Sequence, residues 1–74
     1  MKRMNEEDLR AAMADIGCTW EIDEEIDLLG ADMIIASLHQ DPGAGDLVTD
    51  AGWDGNIFFE LVDACRKRGF DIHV

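Results

Sequence analysis

Between Ala11 and Cys65 the sequence contains no lysine and no arginine. The same 55 residues hold 13 of the 17 carboxylates and most of the apolar side chains, so this stretch has to fold around its own core. All the basic residues lie before or after it: Lys2, Arg3, Arg10, Arg66, Lys67 and Arg68. Because ordinary soluble surfaces mix both signs of charge, we expect the folded chain to present an almost purely negative surface.

The chain also lacks a long apolar run. A membrane-spanning helix needs about 20 consecutive apolar residues, and no run in this sequence approaches that length. The first residues lead into acidic side chains rather than an apolar segment, which argues against a secretory signal peptide. We therefore expect a cytoplasmic protein that does not contact a membrane.

Length and charge narrow the class of protein. Seventy-four residues form one small domain, residues 1–74. Apolar residues make up 47% of the chain, too many for a disordered acidic tail. A formal net charge of −11 repels phosphates, so direct nucleic-acid binding is excluded as the leading interpretation.

Residues suited to metal binding or catalysis are few. The two cysteines, Cys18 and Cys65, are expected to be free and buried in the core. With His39 and His73, which we expect at the surface, they do not have zinc-site spacing. The aspartates of residues 41–54 do not match a calcium loop, and no glycine-rich phosphate loop is present. We expect no cofactor, no metal site and no enzymatic activity.

Two helices are predicted at the ends of the chain. Asn5 is a suitable N-cap for a helix over residues 6–16, and Gly17 suits its C-terminal end. A second helix covers residues 57–65, with Asp54 or Asn56 as N-cap. Gly69 and Phe70 suit a Schellman ending of this helix, and Asp63 and Lys67 form an i,i+4 pair in it.

Three strands are predicted between these helices. Residues 18–23 alternate between apolar and polar side chains, which favours a half-buried strand with Trp20 in the core. Residues 31–39 read either as a buried strand after a turn at 24–30 or as part of a helix, and the strand is preferred. Residues 46–50 follow a turn and would pair with that strand. Residues 70–74 also alternate and are compatible with a short edge strand.

The fold class that follows is α+β. It is a small three-stranded antiparallel sheet with two helices packed on one face, in the order αβββα. The open face of the sheet would carry Glu21 and Asp23 side by side. Trp53 fits either core packing or an exposed binding anchor.

The candidate binding residues are two groups of carboxylates. The first patch is Glu21, Asp23, Glu24, Glu25 and Asp27. The second patch is Asp41, Asp46, Asp50 and Asp54. Either is suited to a basic partner, and the sequence does not distinguish which of them makes contact.

The pattern of apolar and turn positions resembles the small acidic anti-CRISPR proteins of phages, in particular the αβββα Cas9-inhibitor type. The residues that carry the resemblance are Asn5, Asp8, Leu9, Thr19, Ile34, Ile35, Gly45 and Val48. The resemblance implies a DNA mimic that acts in the host bacterial cell. Its carboxylates would occupy the basic groove in which a CRISPR effector, Cas9 or a multi-subunit type I complex, recognises DNA. The loop before the predicted second strand departs from the pattern because it is apolar at Leu28 and Leu29.

The expected function is therefore inhibition of a CRISPR effector through protein–protein binding. The alternative is an acidic interaction module of a phage or bacterial protein pair, such as an antitoxin-like or adaptor domain. Salt separates the two, because affinity that rests on apolar contacts changes little with ionic strength.

Overall fold

A computed structural model describes residues 2–50 and 52–72, with only the backbone at residue 50. The described residues form five helices and no strand. The helices are α1 Glu6–Asp15, α2 Trp20–Leu29, α3 Ala31–Leu38, α4 Leu47–Asp50 and α5 Gly55–Lys67. The predicted αβββα fold with a three-stranded sheet is therefore wrong, because all three of its strands are helical segments.

Local capping fixes the two ends of α1. The Asn5 side chain accepts from the N–H of Asp8, and the Asp8 carboxylate accepts from the N–H of Asn5, which forms a reciprocal capping box. At the other end Gly17 has a φ of 89° and its N–H donates to the carbonyl of Ala14. The prediction of this helix is confirmed to within one residue at its end.

The segment that begins at Cys18 is not a strand. The N–H of Cys18 donates to the Met13 carbonyl in a Schellman ending, and Cys18 has a φ of 50° and is exposed. Trp20 then starts α2 and is 66% exposed. Residues two apart share one face of a strand but lie on nearly opposite sides of a helix. Helix formation therefore buries Ile22 and leaves Trp20 in solvent, so the predictions that Cys18 and Trp20 lie in the core are wrong.

Gly30 separates α2 from α3. It has a φ of 87°, a conformation that glycine adopts without strain, and it is both the last cap of α2 and the first cap of α3. Its N–H donates to the carbonyl of Ile26. The predicted turn at 24–30 and strand at 31–39 are wrong. Residues on both sides of Gly30 are helical, in α2 and in α3.

The third predicted strand, residues 46–50, is also wrong. The carboxylate of Asp46 accepts hydrogen bonds from the N–H groups of Val48 and Thr49, and this holds the chain in the single turn of α4. Near the C-terminus, residues 70–72 form no strand. The rest of the predicted edge strand, residues 73–74, lies outside the described residues.

Helix α5 confirms the clearest of the sequence predictions. Asp54 is its N-cap and accepts from the N–H of Asn56 at 2.8 Å. At its end the N–H of Phe70 donates to the Cys65 carbonyl, and the N–H of Gly69 donates to the Arg66 carbonyl. This is a Schellman motif, and Phe70 is buried against the core as the motif requires.

The helices pack around α1 and α3. Helix α1 lies against both α3 and α5, α2 lies against α3, and α4 lies against α5. The largest fully buried side chains are Leu9, Met13, Ile22, Ile34, Leu38, Leu61, Val62 and Cys65. Helix α2 contributes only Ile22 and Ile26 to the buried core, so most of its surface faces outward.

Candidate interaction surface

The first predicted carboxylate patch lies entirely on α2. Helical rotation spreads these five side chains around the outer part of the helix, with Glu24 directed most directly away from Ile22 and Ile26. Glu21 and Glu25, one turn apart on one flank, are partly buried. The prediction that Glu21 and Asp23 lie side by side is wrong, because positions two apart on a helix do not face each other.

These five carboxylates have no salt-bridge partner among the described residues. They are spaced so that several pairs stand at i,i+3 or i,i+4, where like charges destabilise a helix by roughly 0.2–0.5 kcal/mol per pair. Glu21 and Asp23 lie in the first turn, where the helix dipole favours a negative charge. Asp27 lies in the last turn, where the dipole disfavours it. The helix therefore carries an uncompensated negative field.

Large apolar side chains share this outer surface. Trp20 and Leu28 are 66% and 76% exposed, and they stand two turns apart on either side of Glu24. An exposed tryptophan and an exposed leucine on one short helix are unusual for a surface that serves only solubility. We call the outer side of α2, with its five carboxylates, Trp20 and Leu28, the α2 face.

A groove of about 440 Å³ adjoins the α2 face. Its lining residues come from the end of α2, from α3 and from the segment before α4: Glu25, Leu28, Leu29, Met33, Ser37, Gly45, Asp46 and Leu47. Leu29 continues the apolar stripe of Ile22 and Ile26 by one more turn, but it is 47% exposed. The apolar stripe of α2 is therefore buried at Ile22 and Ile26 and becomes partly exposed at Leu29, inside the groove.

A buried hydroxyl holds one wall of the groove in place. Ser37, on α3, is almost fully buried, and its Oγ donates to the carbonyl of Gly45 at 2.8 Å. This bond fixes residues 45–47 beside α3, and Leu47 is the buried member of this segment. The opposite wall is the end of α2, positioned by the turn at Gly30. The groove is thus built from three separate segments of the chain.

The second predicted patch does not form a comparable surface. Asp41 is paired with Arg3 through two hydrogen bonds, of 3.0 and 2.5 Å. Asp46 and Asp54 accept backbone N–H groups at the starts of α4 and α5. The side chain of Asp50 lies outside the described part of the structure. The carboxylates of Asp41, Asp46 and Asp54 therefore have structural partners, in contrast to those of α2.

Within residues 2–50 and 52–72, Arg3, Arg10, Lys67 and Arg68 form ion pairs that lie away from α2. The pairs are Arg3–Asp41, Arg10–Glu6, Lys67–Asp63 and Arg68–Asp15. The Arg68 guanidinium binds both oxygens of Asp15 and lowers the pKa of that carboxyl, and Arg3 lowers the pKa of Asp41 in the same way. The predicted Asp63–Lys67 pair is confirmed at 3.1 Å.

Residues suited to catalysis or metal binding are dispersed. Within residues 2–50 and 52–72, no three His, Cys, Asp or Glu side chains come together in a metal-binding arrangement. Cys65 is buried, and burial raises the pKa of its thiol to about 11. His39 was predicted at the surface but is buried, because both of its ring nitrogens have backbone partners inside the fold. His73 lies outside the described residues.

The residues that the sequence reasoning missed are the exposed apolar ones. Leu28 and Leu29 depart from the pattern of the resemblance, Leu28 also fits a helical stripe, and Met33 falls within the predicted strand at 31–39. Their signal was present in the sequence, since a helix over residues 20–29 buries Ile22 and Ile26 and has too few core positions left for both leucines. For Trp53 the sequence left core packing and an exposed anchor open. The structure shows core packing, since Trp53 is 6% exposed.

None of the helices in the described ranges is both long and apolar enough to cross a bilayer. In comparisons with known proteins, no family model matches this chain, and neither a curated protein nor a solved structure matches it.

Proposed function

We propose that this protein is a non-catalytic binding protein that places its α2 face against a basic surface of a partner protein. The observation that supports this proposal is a combination on one helix. Five carboxylates that have no salt-bridge partner among the described residues lie beside two exposed apolar side chains. Each feature alone has a simpler explanation. Together they have the composition of an interface, with apolar anchors among charges of one sign.

A cationic partner would remove the repulsion within α2. The like-charge pairs along the helix oppose its folding in the free protein, and a lysine or arginine placed between two of them converts repulsion into attraction. Hydrogen bonds to charged groups contribute about 1.5–3 kcal/mol each when they are desolvated. Opposite fields also raise the rate of encounter by about tenfold or more at low salt. Like-charge repulsion destabilises α2 in the free protein. Binding of a cationic partner would relieve this repulsion, and the relief would favour the bound state.

Trp20 distinguishes a binding surface from a solubilising one. Tryptophan is enriched among the residues that dominate protein–protein affinity, and here its side chain lies in solvent rather than in the core. Leu28, two turns along the same helix, provides a second anchor. A surface selected only for solubility would be expected to have polar side chains at both positions.

The second candidate is the narrower function of a DNA-mimicking inhibitor of a CRISPR effector, acting in the cytoplasm. The charge density of α2 favours it. At a rise of about 1.5 Å per residue, the five carboxylates from Glu21 to Asp27 span about 9 Å. This is close to the roughly one charge per 1.7 Å of double-stranded DNA. A groove that binds DNA phosphates would therefore meet a similar charge density on α2.

The test compares three forms of the protein as bait for basic proteins in a bacterial lysate. They are the wild type, the α2 variant Glu24→Lys/Asp27→Lys, and the control variant Glu7→Lys/Glu60→Lys. Both variants change the net charge equally, at exposed positions. We expect the wild type and the control to retain a partner that the α2 variant loses. Retention of the same proteins by all three forms would refute the proposal.

A competition assay then separates the two candidates. Purified Cas9 and type I effectors are mixed with labelled target DNA in the presence of this protein. The experiment is repeated at salt concentrations from about 50 to 300 mM. A DNA mimic displaces DNA from one effector, and the displacement weakens steeply as salt rises. If a partner is captured in the first experiment but no effector loses its DNA, the general binding function stands and the inhibitor function is wrong.

A further inference from the structure

The groove beside α2 has features that the negative charge of the α2 face does not explain. Leu28, Leu29 and Met33 line it with their apolar side chains between 45% and 76% exposed. A small domain buries little apolar surface in total. Leaving three large apolar side chains exposed at one place is therefore unfavourable unless a partner covers them.

The rim of the groove carries charge of one sign. Glu25 belongs to α2, and Asp46 belongs to the segment before α4, where its carboxylate also accepts the N–H groups of Val48 and Thr49. In the part of the chain that the structure describes, no lysine or arginine lines the groove. A ligand that fits this arrangement has an apolar strip for the floor and positive charges on both sides of that strip.

An amphipathic basic helix has this distribution of side chains. Its apolar residues repeat at i, i+3, i+4 and i+7 along one stripe, and its lysines and arginines flank the stripe. The groove is formed between α2, α3 and residues 45–47 and is partly open to solvent, so the apolar side chains of a helix can enter it from outside. A second copy of this chain fits poorly, because two proteins of net charge −11 would bring acidic rims together.

We infer that this groove binds a short amphipathic basic helix of the partner protein, with apolar side chains of that helix between Leu28, Leu29 and Met33 and its cations on Glu25 and Asp46. This inference rests on the proposed function, since it names the kind of segment by which a basic partner would dock. It makes the groove the source of specificity, while the α2 face supplies the long-range attraction.

The test uses two synthetic peptides of about 14 residues, long enough for a helix of nearly four turns. Both contain only leucine and lysine in the same proportion. In the first peptide the leucines form one helical stripe, and in the second they are scrambled around the helix. Each peptide carries a fluorophore, and binding to the full chain is followed by fluorescence anisotropy at low and at moderate salt.

We expect the striped peptide to bind more tightly than the scrambled one and to keep a measurable affinity at moderate salt. Met33→Gln and Leu29→Gln are each expected to weaken its binding about tenfold. Neither variant should affect the scrambled peptide. Phe59→Gln is the matched control, because Phe59 is 67% exposed on α5 and does not line the groove. It should leave both affinities unchanged.

Three outcomes would overturn the inference. If both peptides bind equally and Met33→Gln has no effect, the groove does not select an apolar strip, although the charge-based function stands. If neither peptide binds at any salt concentration, both the groove inference and the proposed function fail. If sedimentation shows a dimer that Met33→Gln dissociates, the occupant is a second copy of this chain.

Discussion

The backbone N–H of Met4 donates a hydrogen bond to Nε2 of the buried His39 side chain, over 3.2 Å. Because Nε2 accepts, the proton of the imidazole is assigned to Nδ1, which lies 2.8 Å from the carbonyl oxygen of Asp71. The ring thus connects the segment before α1, the end of α3 and the segment after α5. The N–H of Asp71 also donates to the carbonyl of Lys2, so the two segments lie beside each other.

Replacing His39 by alanine should destabilise the fold by about 2–3 kcal/mol, since it leaves two backbone groups without their partners and opens a small cavity. The measurement is urea unfolding monitored by circular dichroism, with the slope against denaturant checked for change. His39→Gln, which keeps one acceptor and one donor in the side chain, should cost less. A change below about 0.5 kcal/mol for His39→Ala would show that the bridge contributes little.

The two cysteines should differ in reactivity. Cys65 is fully buried and the pKa of its thiol is raised to about 11, whereas Cys18 is exposed. With iodoacetamide at about pH 8, one thiol should be alkylated in the native protein and both in denaturant, as read by intact mass. Cys18→Ser should abolish the native reaction. Native alkylation of that variant would mean that Cys65 becomes accessible by local opening.

The Asp15–Arg68 pair should make stability depend on pH in the acidic range. Arg68 lowers the pKa of Asp15 in the folded state from its ordinary value of 3.8. The pair therefore stabilises the fold fully above that value, and the contribution is lost as pH falls through the lower, folded-state pKa. The difference in melting temperature between wild type and Asp15→Asn should be largest near neutral pH and should shrink below about pH 4.

Asp27→Asn is the control for that measurement, because it removes an exposed carboxylate that has no salt bridge among the described residues. By lowering repulsion in the last turn of α2, it should raise the melting temperature near neutral pH rather than reduce it. A lower melting temperature for both variants by the same amount would indicate a general effect of losing a carboxylate.

The two tryptophans should report on different parts of the structure. Trp20 is 66% exposed and Trp53 is 6% exposed. Trp53→Phe, which leaves Trp20, should show strong quenching by acrylamide, and Trp20→Phe should show weak quenching. Acrylamide is suitable because it is neutral and is not repelled by the carboxylates of α2. Equal quenching of the two variants would contradict the exposure of Trp20 on which the proposed function depends.

The ends of the helices were predictable because they depend on short, local chemistry. Asn5, Gly17 and Gly69 each stabilise a helix end through contacts within about four residues, and the structure has all three where expected. Asp54 is similar. Helix α5 is predictable because Phe58, Leu61, Val62 and Cys65 recur at the spacing of one helical face.

The central region was not predictable to the same degree, because its apolar runs are short. Cys18, Trp20 and Ile22 satisfy the period of a strand, while Ile22, Ile26 and Leu29 satisfy that of a helix. Contact with α3 settles the choice, since it buries Ile22 and Ile26 together. A glycine inside an apolar run disfavours one continuous helix. Gly30 does end α2, but the chain starts α3 immediately after it.

The predicted binding residues fall into two groups, according to whether the folded chain gives each carboxylate a partner. The sequence identified both acidic groups, but it did not show that Asp41, Asp46 and Asp54 have structural partners while the α2 carboxylates have no salt bridge among the described residues. That difference depends on Arg3, which is distant in sequence, and on where α4 and α5 begin. The apolar groove depends on three segments at once, so only the folded chain shows it.

The pairing of Lys2 with Asp71 has a practical consequence for engineering. Segments that lie this close can be joined by a short flexible linker, so residues 2–72 are suited to circular permutation. New ends opened between Pro42 and Gly43, which are exposed, would leave every helix intact. Such a permutant would keep the groove and the α2 face, and a reporter attached at the new ends would leave the domain from the turn between α3 and α4.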